Sequence, residues 1–142
     1  MRIVRNVEGC GIVYVRMRNT AESVAKFLVE QGESASFYHG GLPNAERAMR
    51  QDEWISGKTR IMVATNAFGM GIDKADVRFV VHYTMSDSLE SYYQEAGRAG
   101  RDGKRSYAVI MMSATDNHHI LDIFEKEFPS IALIQSVYHE LC

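Results

Sequence analysis

Gln94, Arg98 and Arg101 form the most chemically pointed group in the sequence, within Gln94-Glu95-Ala96-Gly97-Arg98-Ala99-Gly100-Arg101-Asp102-Gly103. At about 100° per residue, the three would share one helical face within about 60°. Two guanidinium forks side by side suit a polyphosphate, whose charge builds up during γ-phosphoryl transfer. Gly97 and Gly100 each cost about 1 kcal/mol inside a helix, so a close backbone approach is expected there. A helix C-terminus explains the same residues without a ligand, since arginines favour the dipole and glycines end the helix.

A second group spans Ala64-Thr65-Asn66-Ala67-Phe68-Gly69-Met70-Gly71-Ile72-Asp73. Gly69 and Gly71 would let the backbone approach a ligand closely, and Thr65 offers a hydroxyl at a strand end. Asp73 could accept from a ribose hydroxyl or hold a cation. A glycine-containing turn with an Asp cap is the competing explanation. Arg18 and His39 are candidates for DNA phosphates, against a solvated loop arginine and a structural histidine. His118, His119 and His139 lack metal-ligand spacing, so no metal is expected, and the eight methionines read as core filler. Two look-alikes fail. Gly57-Lys58-Thr59 imitates the end of a phosphate loop, but Asp52 stands where G-x-x-x-x-G-K-[ST] needs its first glycine. Asp52-Glu53-Trp54-Ile55 imitates a magnesium-binding acidic box but falls inside an expected helix. The chain therefore contains neither the lysine for β/γ-phosphates nor the carboxylates for Mg²⁺.

The elements that would position these groups alternate between strand and helix. Residues 11–16 are a short β-branched run, as a strand buried on both faces should be. Asn19 and Glu22 fit a capping box for a helix carrying Ala21, Val24, Ala25 and Leu28, which Gly32 would stop. Further strands are expected at 35–38, 61–64, 77–83 and 106–112, with helices at 44–56, entered through Pro43, and 88–97. Two helices at 116–127 and 130–141, separated by Pro129, follow. This alternation implies right-handed crossovers and a parallel sheet covered on both faces. Ligands should bind beyond the carboxyl ends of the strands, where segments 38–41, 65–73 and the approach to Arg98 and Arg101 would fall.

With 142 residues, 46% hydrophobic and 24% charged, the composition is that of an ordinary globular domain. A net charge of −2 excludes indiscriminate binding to nucleic acid, so any contact must come from a local patch. Candidates are Arg16 with Arg18, and Arg98 with Arg101, Lys104 and Arg105. Cys10 and Cys142 are far apart without CxxC spacing, which reads as reduced thiols in a cytoplasmic protein. No apolar run approaches the ~20 residues of a membrane span, and no membrane partner is expected.

Together these segments resemble the second motor lobe of RecQ-family ATP-dependent DNA helicases. Residues 64–82 resemble that family's motif V and the strand after it; Ser-Tyr-Tyr-Gln-Glu-Ala-Gly-Arg-Ala-Gly-Arg-Asp-Gly (91–103) resembles motif VI. Gly-Ile-Val-Tyr (11–14) through Arg18 matches motif IV in position, and Tyr-His-Gly-Gly-Leu (38–42) the motif that follows. The resemblance covers about 9–112 and is most specific in Ala-Phe-Gly-Met-Gly-Ile-Asp-Lys with Glu-Ser-Tyr-Tyr-Gln-Glu.

The resemblance implies a three-layer RecA-like parallel sheet flanked by helices over 1–112, with a helical extension over 113–142 leading to a further domain. It also implies that the chain is part of a longer motor, inactive alone, whose first RecA-like lobe holds ATP and Mg²⁺. Arg101 would then be the arginine finger toward the γ-phosphate, Arg98 a second phosphate contact, and Gln94 an organiser of the interlobe face. Gly71 and Asp73 would lie near the nucleotide, with Thr65, Arg18 and His39 along a single-stranded DNA path. Unwinding of duplex DNA with 3′-to-5′ polarity, in repair and recombination, follows from the same resemblance. Two departures, Arg16 for a small polar residue and Ala75 for a proline, leave these roles intact. Segment 113–142 does not match the family's usual lead into a four-cysteine zinc module. The alternatives are a non-catalytic module that docks nucleic acid or a partner, and a lobe of an RNA helicase.

Overall fold

The computed structural model describes residues 2–69, 72–112, 135–137 and 140. Met1–Met111 make one compact unit and Met112–Cys142 another. Of the second, Met112 is described, as are residues 135–137 and 140, which are helical; the helix expected over 116–127 lies outside the described residues, as does most of 130–141.

The first unit runs α1 (Arg2–Asn6), β1 (Cys10–Tyr14), α2 (Arg18–Glu30), β2 (Ala35–Tyr38), α3 (Asn44–Ile55), β3 (Ile61–Ala64), β4 (Val77–His82), α4 (Leu89–Ala96) and β5 (Tyr107–Ile110). All five strands are parallel, in the order β2-β3-β1-β4-β5. Each β-branched run found in the sequence is thus a strand. Every residue of β1 and β3 is buried, which is why these strands read as continuous apolar runs. β5 pairs with β4 alone, and its Tyr107 and Ala108 are exposed, as befits an edge.

Side chains alternate between two cores. Ile12, Tyr14, Met62, Ala64 and Val80 face one cluster with Trp54 of α3 and with Phe68 and Ile72 of the β3–β4 connection. Val13, Ile61, Val63, Phe79 and Val81 face the other, under Val4 of α1 and Ala21, Ala25 and Leu28 of α2. Burying each large apolar side chain stabilises by about 1.5–3 kcal/mol, so both layers are firmly held. Trp54 Nε1 also donates to Gly11 O at 3.2 Å, tying α3 to the central strand. Gly11 can only be glycine, because a Cβ there would come within 2.0 Å of the Phe79 ring.

The helix ends differ in part from expectation. α2 begins at Arg18 with Met17 as its cap and no side-chain capping bond. The capping box does not form: Asn19 Oδ1 accepts from the neighbouring Thr20 amide, and Glu22 is drawn away to His39. At the other end Gly32, at φ +84°, does stop the helix; its amide donates to Val29 O and that of Glu33 to Leu28 O, a Schellman pattern. Pro43 occupies the cap position of α3 rather than its first turn. The imitation phosphate loop is this helix's exit, with Gly57 at φ +83° and Lys58 paired to Glu53.

Candidate functional site

β5 is parallel to β4, so α4 must carry the chain back toward the starting edge of the sheet. α4 ends at Ala96, and 97–103 continue as tight turns. The amides of Arg98 and Ala99 donate to Glu95 O and Ala96 O, then Gly100 N reaches Val77 O at 2.9 Å and Asp102 N reaches Ala75 O at 3.2 Å. A forked ion pair between Arg78 and Asp102 fixes that landing, and the guanidinium holds the Asp102 carboxyl below its ordinary range. Two expectations change accordingly. Arg98 and Arg101 are not on a helix, because glycine and the return to Val77 break it. Nor does their segment sit at the carboxyl ends of the strands; it is hydrogen-bonded to the beginning of β4.

The side chains converge nonetheless. Gln94, Arg98 and Arg101 line one open recess of about 450 Å³ with Gly69, Ile72 and Asp73. Arg98 is half-buried; its Nη1 donates to Gly69 O at 2.7 Å, and its buried Nε has no hydrogen-bond partner. Gly69, at φ +151°, accommodates this by having no side chain, since a Cβ would stand 2.3 Å from Arg98 Nη2. Arg101 is held loosely, with Nη1 3.5 Å from Asp73 Oδ1 in a pair exposed 41% and 89%. Gln94 is exposed, its amide nitrogen 3.5 Å from Glu90 Oε1. Gly71 lies outside the described residues.

The nucleic-acid candidates cluster separately, beyond the carboxyl ends of β1, β2 and β3. Arg18 is exposed and lies against Gly41, where a Cβ would stand 2.9 Å from its Nη1. His39 is buried and internally committed: Nδ1 accepts from Gly41 N at 3.2 Å and Nε2 meets Glu22 Oε1 at 3.0 Å. In this arrangement His39 shapes the Gly-Gly turn that supports Arg18. Thr65 is buried, its amide donating to Tyr38 O at 3.1 Å. Arg18 alone of the three presents a free face to solvent.

A third cluster went unnoticed in the sequence. Tyr14 Oη donates to Phe68 O at 3.0 Å, and its ring stacks on His82 at 5.5 Å. His82, 1% exposed, pairs through Nε2 with Glu95 Oε2 at 2.8 Å, which also accepts from Ser86 Oγ at 2.9 Å. Burial pushes the Tyr14 hydroxyl up to about 12, with nearby Arg98 pulling the other way. A histidine closing the buried end Phe79–Val81 of the strand Val77–His82 was the signal available. Among the described residues, no group of three or more His, Cys, Asp or Glu could hold a metal ion.

The helicase conserved C-terminal domain model matches residues 1–103. The chain is 46% identical over 123 residues to ATP-dependent DNA helicase Q5 of Rattus norvegicus, covering 87% of the chain and 13% of that protein. It is 51% identical over 108 residues to ATP-dependent DNA helicase hus2/rqh1 of Schizosaccharomyces pombe, covering 75% and 8%. Among solved structures, a DEAD box protein from the hyperthermophile Methanococcus jannaschii superposes with a TM-score of 0.75 at 28% identity, over 88% of this chain and 34% of that one. The chain thus spans only a small part of the curated relatives it matches, and the shared fold is the RecA-like sheet. With its parallel five-stranded sheet and its conserved-domain match, the chain belongs to the helicase C-terminal domain family, and it is 47% identical over 116 residues to RecQ-like DNA helicase blm-1 of Caenorhabditis elegans, covering 82% of the chain and 12% of that protein.

Proposed function

We propose that this chain is the second motor lobe of an ATP-dependent DNA helicase, completing from outside a nucleotide site built by the first lobe. The observation that carries this reading is the recess where Arg98 and Arg101 meet Gln94 and Asp73. ATP, held with Mg²⁺ mainly by the first lobe, supplies the phosphoryl transfer. Arg101 is the finger. Its exposed pairing with Asp73 is worth about 0–1 kcal/mol, so turning the guanidinium toward a phosphate costs little. Arg98 is preset by the bond from its Nη1 to Gly69 O, half-buried in the wall of the recess, so that its guanidinium needs little reordering to meet an anion there. Gln94 and Asp73 border the same recess, Asp73 on the nucleotide side of the connection from β3, with Gly71 in the same connection.

Arg18, on the other side of the sheet's central strands, contacts the DNA backbone, and His39 holds the turn beneath it. Thr65, at the root of the β3–β4 connection, links that track to the recess. Each closure and release of the two lobes then shifts Arg18 along the single strand, in the 3′-to-5′ direction. Resemblance to DNA helicases at 46–51% identity supports DNA over RNA as the substrate.

Arg101→Ala, in a protein that joins this lobe to its first lobe, tests the reading. An arginine finger contributes about 10³–10⁵ in rate, so DNA-stimulated ATP hydrolysis should fall by that order while ATP binding persists. Hydrolysis within a few-fold of normal would remove the finger assignment. Unwinding of matched DNA and RNA duplexes by the unaltered protein separates the two substrate classes.

A further inference from the structure

We propose that Glu95 and His82 are positioning residues for Arg98, a clamp on the last turn of α4 that sets where the following turn places this arginine. The proposal rests on the role just given to Arg98. The Arg98 amide donates to the carbonyl of Glu95 at 3.2 Å, so the orientation of residue 95 fixes the start of the turn that carries the guanidinium. The Glu95 side chain is in turn fixed by one oxygen, Oε2, which accepts from His82 Nε2 at the end of β4 and from Ser86 Oγ in the loop that follows.

The guanidinium end of Arg98 is reached by a second route from the same histidine. His82 lies between Tyr92, 5.0 Å away, and Tyr14, 5.5 Å away. Tyr14 Oη holds Phe68 O, and the next carbonyl, Gly69 O, accepts from Arg98 Nη1 at 2.7 Å. His82 is therefore bonded to the residue that sets the backbone end of the arginine and packed against the ring that sets its guanidinium end. Filling this space needs no charge. The carboxylate and the imidazole are 13% and 1% exposed, and an ion removed from water costs several kcal/mol unless it is well hydrogen-bonded. Apolar side chains would fill the space more cheaply, but only directional bonds fix the rotation of the last turn of α4. Displacing a catalytic group by about 1 Å can cost 10²-fold in rate, so such a clamp has a measurable consequence.

The test uses a protein that joins both lobes, with Glu95→Ala, Glu95→Gln and Arg98→Ala compared. Four quantities are read: kcat and KM for DNA-stimulated ATP hydrolysis, affinity for ATP, and affinity for ADP with aluminium fluoride, which mimics the transferring phosphoryl group. Glu95→Ala should lower kcat by about 10–100-fold and weaken the mimic in parallel, leaving ATP affinity and KM within about threefold. Glu95→Gln should recover most of the rate, because its single carbonyl oxygen can accept from both His82 and Ser86. Equal losses of ATP and mimic binding in Glu95→Ala would mark general damage and overturn the clamp. So would a normal rate for Glu95→Ala beside an inactive Arg98→Ala. A normal rate for Arg98→Ala would instead remove the site reading, and the clamp with it.

Discussion

Arg98 and Arg101 are three residues apart yet held in opposite ways, and the difference suits two tasks. Arg98 is wedged against Gly69, while Arg101 is exposed beside a weak partner. The quiet participant is Tyr14, whose hydroxyl anchors Phe68 next to the carbonyl that Arg98 holds. Because burial raises Tyr14 to about 12, the folded state retains its proton after an unfolded tyrosine has begun to lose it. The sign follows from linkage: the stabilisation is complete below about pH 10 and is lost as pH rises toward 12. A two-unit difference corresponds to about 3 kcal/mol. Tyr14→Phe removes this titration and leaves a packed ring. Urea unfolding between pH 9 and 12 should show a steeper loss of stability for the natural chain than for Tyr14→Phe. Parallel curves would show that Tyr14 does not titrate differently on folding.

At the scale of elements, Arg60 ties together the amino-terminal side of the sheet. Its guanidinium donates to Val4 O and Val7 O at 2.7 Å, to Gly9 O at 2.9 Å, and to Glu33 at 2.5 Å. Hydrogen bonds from a charged group contribute about 1.5–3 kcal/mol, and Arg60→Ala leaves three carbonyls and a carboxylate needing water. The expected loss is about 2–4 kcal/mol by denaturant midpoint, with hydrogen exchange at α1 accelerated before the sheet is affected. Unchanged protection of α1 would contradict this role. That helix also marks a limit of the sequence. Its five residues are too few for helical periodicity, and what stabilises it is an arginine more than fifty positions away. The strands were readable because β1 and β3 are buried on both faces and need continuous apolar runs. The Asn19–Glu22 cap was misread for the same reason that α1 was missed, since Glu22 bonds a residue 17 positions on. The recess was legible in its residue types. Its location was not, because the helical phase of Gln94, Arg98 and Arg101 ends at Gly97 and long-range bonds to β4 take over.

The whole chain divides its chemistry unevenly. It brings two guanidinium groups to one recess but has no G-x-x-x-x-G-K-[ST] loop, and the one lysine that imitates it is paired with Glu53 at a helix exit. A finger acts only on a nucleotide that something else has bound, since its contribution is stabilisation of charge developing in the transition state. The 142 residues alone are therefore expected to release no phosphate from ATP above background, with or without single-stranded DNA. Binding to the single strand should be weak, about 10⁻⁴–10⁻⁶ M at physiological salt, and should weaken further as salt rises. With a net charge of −2 any hold on the backbone comes from local patches, and if the strand runs past Arg18 rather than past Arg98, Arg101, Lys104 and Arg105, Arg18→Ala should abolish most of that binding. Phosphate release and fluorescence anisotropy on the same preparation check both halves. Sustained turnover by this chain would mean that the nucleotide is held here, and that the two arginines serve a site of their own.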